Sequence, residues 1–339
     1  MPLIARRPRG PLLAGLLPVS LVLGGALLLS LAVGSGDVPL GDVVAGLFHP
    51  DHADRAQLIV REVRVPRTAA GLLAGVALGL AGTVMQGVAR NPLADPGLLG
   101  VNAGASVCVV FAISVLSLSD PSQYIWFGFL GACLAAVLVY GVGSLGRDGA
   151  TPVKLALAGA AVAAALGSVT SAMLLTDSRT FDQFRFWQVG SLTGREPEVL
   201  WQALPFIAVG AVLALTLGPQ LNTLALGDDT ARGLGQRIAL ARLGAAACVV
   251  LLCGAATVVA GPIAFVGLAV PHAARLVTGP DHRWILPYSA LIAPSALLLA
   301  DVAGRLVAHP GEVQVGVMTA ALGAIPFVVL VRRRKVVEL

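Results

Sequence analysis

The chain has 339 residues, of which 57% are hydrophobic and only 12% charged, with a mean hydropathy of +0.86. Soluble domains carry about a quarter charged residues, so charge at half that level makes lipid the solvent and sets aside a soluble domain, a disordered chain and a secreted disulfide scaffold. The net charge of +5 and the pI near 9.4 call for no nucleic-acid partner, because basic residues at the ends of apolar segments are what membrane topology requires.

Apolar windows broken by charges, Pro and Gly predict an all-α polytopic membrane protein, one transmembrane domain over 1–339 with about ten spans. They run 11–33, 65–86, 97–116, 124–144, 153–176, 198–217, 237–260, 262–278, 284–304 and 313–331, with a polar segment at 219–236. The first follows Arg6, Arg7 and Arg9; it is longer than a signal-peptide core of roughly 7–15 residues and has no A-x-A site, so it stays as a helix. The second carries Gly71, Gly75, Gly79 and Gly82, which predicts a smooth groove for close helix packing. Gly261-Pro262 leaves only a tight turn between the seventh and eighth spans, and one long broken helix is the other reading. Cys108, Cys133, Cys248 and Cys253 all sit inside apolar stretches and read as small packing residues.

Placing the N-terminus in the cytoplasm and alternating the loops puts 15 of the 23 basic residues inside. The positive-inside rule then predicts both termini in the cytoplasm and an even number of spans. Nearly every charge falls at a membrane boundary, the deepest being Asp301 and Arg305, which are four apart on the ninth span and able to pair. The scarcity of embedded charges disfavours an ion-gradient-coupled secondary transporter, the rival of a different class.

Enzyme signatures are missing. No G-x-x-x-x-G-K-[ST] or H-E-x-x-H occurs, and the two lysines, Lys154 and Lys335, follow no glycine-rich loop. Gly104-Ala105-Ser106 has no histidine at a matching depth and reads as packing. His49, Asp51, His52 and Asp54 have metal-like chemistry in a spacing that fits no firm ligand pattern, and read as a solvated loop. No metal site and no bound cofactor are expected. The polar segment is different in kind. Within it Gly227, Asp228, Asp229, Thr230, Ala231, Arg232, Gly233, Leu234 and Gly235 predict a short helix, with Asp228 or Asp229 as cap, a small apolar face of Ala231 and Leu234, and Gly235 ending it in the left-handed conformation. Such a helix suits the docking of a soluble partner; a plain surface loop is the alternative.

Arg64-Val65-Pro66-Arg67 enters the second span, and Arg90-Asn91-Pro92-Leu93-Ala94-Asp95-Pro96-Gly97-Leu98-Leu99-Gly100 follows it. Together with Ala260-Gly261-Pro262-Ile263-Ala264-Phe265-Val266-Gly267-Leu268, Pro271-His272, the Gly-Asp-Asp segment and Gly316-Val317-Met318-Thr319, they resemble the FecCD family of ABC-importer permeases, over about residues 11–334. That family moves iron-siderophores, haem and vitamin B12. The resemblance implies a type II importer permease fold of ten helices in a bacterial inner membrane. It also implies a second permease subunit (a heterodimer expected, a homodimer open), two cytoplasmic ATPases that use ATP and Mg, and an extracytoplasmic binding protein. By the same resemblance Gly227 to Gly235 is the ATPase-coupling helix, and Asn91 and Leu93 are cytoplasmic gate positions, a rigid turn without gating being the alternative. Arg64, Arg67 and Arg305 match positions that present outward charge to a binding protein, anchoring to lipid phosphate being the alternative for them. The segments 182–192 and 281–284 look most like permeases for catecholate siderophores of the enterobactin type; cobalamin or haem is the alternative cargo.

Overall fold

The computed structural model describes residues 9–34, 38–48, 54–145 and 151–333. His49, Asp51 and His52 of the metal-like loop lie outside the described residues. Asp54 lies within them and caps a helix, accepting from the Ala56 N–H at 2.8 Å.

Among the described residues every regular element is helical. In chain order they are α1 (Arg9–Ala32), α2 (Leu40–Phe48), α3 (Arg55–Ile59), α4 (Val65–Ala89), α5 (Val101–Ser114), α6 (Pro121–Gly143), α7 (Pro152–Thr176) and α8 (Ser178–Gln188). There follow α9 (Pro197–Leu224), α10 (Asp228–Gly233), α11 (Ile238–Ala260), α12 (Val266–Thr278), α13 (His282–Val307) and α14 (Val315–Arg333). Among the described residues seven helices are long and apolar enough to cross a membrane, with α3 and α4 counted as one 35-residue helix. The predicted second span therefore begins ten residues early. Pro66 has no N–H to give, so the ladder ahead of it slips into a π-helical turn, Val60–Arg64, in which the Val65 N–H reaches the Val60 carbonyl.

The glycine stripe explains why α4 is the axis of the bundle. A Cβ at Gly75 would run into the backbone of Pro294, at Gly79 into the Ser289 carbonyl and Ala293, and at Gly82 into the Gly267 backbone. α13 and α12 thus lie directly on α4, and van der Waals contact replaces the hydrophobic drive that is missing between helices in lipid. The periphery is apolar for the opposite reason. Leu13, Leu17, Leu21 and Leu28 of α1 and Val153, Leu157 and Leu175 of α7 are exposed, as lipid-facing side chains should be.

Two predicted spans are shortened. α5 and α12 have 14 and 13 residues, about 20 Å each at 1.5 Å per residue, against roughly 30 Å of hydrocarbon. Gly100, with φ +70°, and a 3-10 turn at Pro96–Leu99 delay the start of α5. Gly261-Pro262 and a left-handed Phe265, φ +69°, delay α12. The irregular segments sit inside the bundle, where Ala94, Pro96 and Leu99 are buried. Their backbone is satisfied locally, Ala94 N–H to Asn91 O at 3.0 Å and Gly97 N–H to the Asp95 carboxylate at 2.7 Å. Non-helical backbone at this depth is tolerated only when enclosed in protein.

Candidate functional site

At one end of the bundle α9 runs on to Leu224 and the chain turns through Gly227, φ +98°, into α10. The six-residue helix ends in a Schellman motif. Gly235, φ +81°, donates to the Arg232 carbonyl at 2.9 Å and Gln236 to that of Ala231 at 3.0 Å. The expectation for Gly235 holds. The expected aspartate cap does not: Gly227 occupies the cap position with no side-chain bond. Asp228 accepts instead from Arg242 at 2.9 Å and pairs with Arg90 at 3.0 Å, while Asp229 pairs with Arg232 at 3.1 Å on the open surface. Two cations brought from α11 and the end of α4 outcompete a backbone N–H for the Asp228 charge.

The predicted apolar face also divides. Ala231 is fully buried inside the chain, whereas Leu234 is 66% exposed and Leu226 61%. The face α10 offers to another molecule therefore consists of Leu226, Asp229, Thr230, Arg232, Gly233 and Leu234, with Ala231 as its internal footing.

Arg90 ends α4 in the left-handed region, φ +50°. The exposed Asn91 follows, and its Oδ1 accepts from the Leu93 N–H at 2.9 Å, so that Asn91-Pro92-Leu93 is a fixed turn with Leu93 39% exposed. Behind it Leu98 leans its carbonyl on α7 at Gly159, and the Pro96 ring stands beside Gly267 of α12. The Arg90–Asp228 pair brings this turn and α10 together, a juxtaposition the sequence does not announce.

Arg64, Arg67 and Arg305 gather at the far end, and here the expectation of outward charge is corrected: all three are buried, at 3%, 4% and 2% exposure. Arg67 grips Asp301 through Nε at 2.9 Å and Nη2 at 2.8 Å, and its Nη1 reaches Glu312 at 2.7 Å. Arg305 pairs with Asp301 at 3.0 Å, the i,i+4 contact that the sequence allows. The physical reason for the burial is the C-terminus of α1, whose last carbonyls have no intrahelical partner. Arg64 donates to Leu31 O and Ala32 O at 2.8 and 2.7 Å, and Arg305 donates to Ser30 O at 3.0 Å and to Val33 O. Ser30 and Thr68 close the cluster with a hydroxyl pair at 2.8 Å. Glu312 also accepts from Thr193, at 3.2 Å, tying in the segment after α8. Glu312, Ser30 and Thr68 carry no motif of their own, and their roles appear only in three dimensions.

α8 carries most of the segment singled out at 182–192. Asp177 caps it, and hydrogen bonds from the Thr180 hydroxyl and the Arg179 N–H hold the Asp177 carboxyl below its ordinary range. Phe184 and Trp187 face inward, and Phe181 and Phe186 are exposed. At the α10 end Asp281 caps α13 and accepts from Asn222, whose Oδ1 in turn meets the His282 ring at 2.9 Å. Among the described residues no group of three His, Cys, Asp or Glu side chains is arranged to hold a metal ion.

A lipid-facing helical bundle that carries a short exposed helix at one end and a locked polar cluster at the other has the architecture of an integral-membrane permease subunit. The chain belongs to the FecCD transport family, whose model matches residues 20–333. It is 45% identical over 306 residues to the ferric enterobactin transport system permease protein FepD of Escherichia coli, covering 90% of this chain and 91% of that one. It is 41% identical over 305 residues to the Fe(3+)-citrate import system permease protein YfmD of Bacillus subtilis, covering 90% of both. A solved structure described as an inward-facing conformation of a metal-chelate type ABC transporter superposes with a TM-score of 0.81 at 26% identity, over 94% of this chain and 99% of that one.

Proposed function

We propose that the chain is the transmembrane subunit of an ATP-driven importer carrying a ferric siderophore of the catecholate type across a bacterial inner membrane. One observation carries the importer reading: α10 is closed by its Schellman turn, footed on buried Ala231, and turns a small mixed face outward at the end of the bundle. A subunit with no nucleotide-binding motif needs such a handle to take work from a separate ATPase. In this reading the α10 end is cytoplasmic, as are both termini, and Gly227 to Gly235 seat in an ATPase subunit, one on each of two permease subunits. A heterodimer of related permeases is favoured over a homodimer. ATP and Mg are used by the ATPases, and this chain binds no cofactor.

Asn91 and Leu93 form the cytoplasmic gate, because the turn they occupy is both exposed and rooted beside α10. The far end seats an extracytoplasmic binding protein. Arg64, Arg67 and Arg305 serve that docking from beneath the surface, by holding α1, α4 and α13 in register. The catecholate assignment is supported by the likeness to the ferric enterobactin permease over nine-tenths of both chains.

The test is uptake of iron-55 enterobactin, with labelled cobalamin alongside, in cells with and without this gene. Loss of iron uptake alone is expected. Loss of cobalamin uptake would keep the importer and overturn the siderophore, and ATP-independent uptake driven by a proton gradient would overturn the importer.

A further inference from the structure

Asp228 stands in the first turn of α10, where that helix meets the 90–100 turn, and with the cap position taken by Gly227 its carboxylate turns to side chains of other elements. On one side it is fixed to Arg242 of α11, a side chain 8% exposed, by contacts of 2.9 and 3.1 Å. On the other it holds Arg90 at 3.0 Å, with the two side chains 24% and 33% exposed. Arg90 is also the left-handed residue that ends α4 and precedes Asn91. Left-handed backbone at a residue with a Cβ persists only where its surroundings hold it.

We propose that Asp228 is a positioning residue, a strap from Arg242 through Asp228 to Arg90 by which displacement of α10 swings the 90–100 turn. This rests on the coupling reading of α10. The turn transmits the swing because it is stiff: Pro92 and Pro96 fix two φ angles, and Asp95 caps the 3-10 turn through Gly97. The far side of the turn is already in contact with the helices that would have to move, Pro96 against Gly267 of α12 and Leu98 against Gly159 of α7. Breaking the bridge to Arg90 leaves α10 footed on Ala231 and Arg242, so the ATPase still has its handle while the gate has lost its link.

The experiment uses the assembled complex in proteoliposomes, with Leu93→Cys as reporter and the four native cysteines replaced by alanine. The measured quantity is the rate of labelling by an impermeant maleimide with and without ATP and vanadate, which needs no knowledge of the cargo. With Asp228 and Arg90 intact, ATP is expected to change that rate about fivefold or more, the scale of an ordinary allosteric coupling. Arg90→Gln should shrink the change to less than about twofold while ATP hydrolysis continues, and Asp228→Asn should shrink it as far. Together they should do no more than either alone, as members of one pair do, and Arg90→Lys should retain the change. An equal ATP response with and without Asp228 overturns the strap and leaves the coupling reading standing. Loss of hydrolysis in Arg90→Gln also overturns it, because the pair then merely holds α10 in shape. No ATP response even with both residues intact overturns the coupling reading itself, and the strap with it.

Discussion

Removing the Asp301 carboxylate should destabilise the chain more than removing any other single acidic group among the described residues. Asp301 is fully buried, accepts two guanidinium N–H groups from Arg67 and forms an ion pair with Arg305. Breaking a buried ion pair by deleting one partner costs about 3–5 kcal/mol, because the surviving charge stays desolvated without its counter-ion. Here the survivors keep some company, Arg67 with Glu312 and Arg305 with the α1 carbonyls, which places Asp301→Ala at the lower end, about 3 kcal/mol. At roughly 2–4 °C per kcal/mol for a chain of this order, the apparent Tm of the purified protein in detergent should fall by roughly 6–12 °C. Glu312→Gln neutralises a carboxylate that is itself a quarter exposed and, discounted for solvent screening, should cost less than about 1 kcal/mol. A Tm for Asp301→Ala within about 2 °C of the parent, or a larger loss for Glu312→Gln, would refute the claim that this cluster is a structural lock.

The α4 groove predicts that Gly75→Leu or Gly82→Leu abolishes accumulation of folded protein in the membrane, since each side chain would have to displace backbone of α13 or α12. Gly24→Leu, with open space around it, should accumulate normally by fluorescence-detected chromatography. At α10, Gly235→Ala forces a Cβ into the left-handed region at a cost of about 1 kcal/mol, and should reduce uptake more than membrane abundance. Ala231→Glu should remove the helix's footing outright, so that a cysteine at position 229 no longer cross-links to the ATPase; unchanged cross-linking would show that the helix does not depend on Ala231. The Asp177 cap has a testable sign. Its folded-state pKa is lowered, so its contribution is complete above the unfolded value near 4 and is lost as pH falls through the lower folded value. Amide protection at Thr180 should therefore hold at pH 5 and fade only below about pH 4, and fading already at pH 6 would contradict the cap.

Seven of the ten predicted spans coincide with helices long and apolar enough to cross, because a long apolar run has nowhere else to go in lipid, and an i,i+4 pair such as Asp301 and Arg305 follows from helix geometry alone. The left-handed stop at Gly235 was legible because few residues accept that backbone. What the sequence hid is where unsatisfied groups from distant segments meet. The carbonyls of residues 30–33 have no side-chain signature, yet they draw Arg64 and Arg305 inward and turn expected docking charges into helix caps. The sequence offers Asp228 or Asp229 as a cap, because Arg90 and Arg242 are remote in sequence although they adjoin Asp228 in space. The two polar clusters differ in a way that bears on motion. At the far end one carboxylate is shared by two buried arginines that also cap α1, so any rearrangement there would strand several desolvated charges at once. At the α10 end, Arg90 and Asp228 are a quarter to a third exposed and joined by a single contact, so water can take over as they separate, at a cost within reach of a partner's binding energy. Displacement driven from α10 is therefore cheapest in the segment that holds Asn91 and Leu93, and most strongly opposed where α1, α4 and α13 are locked together.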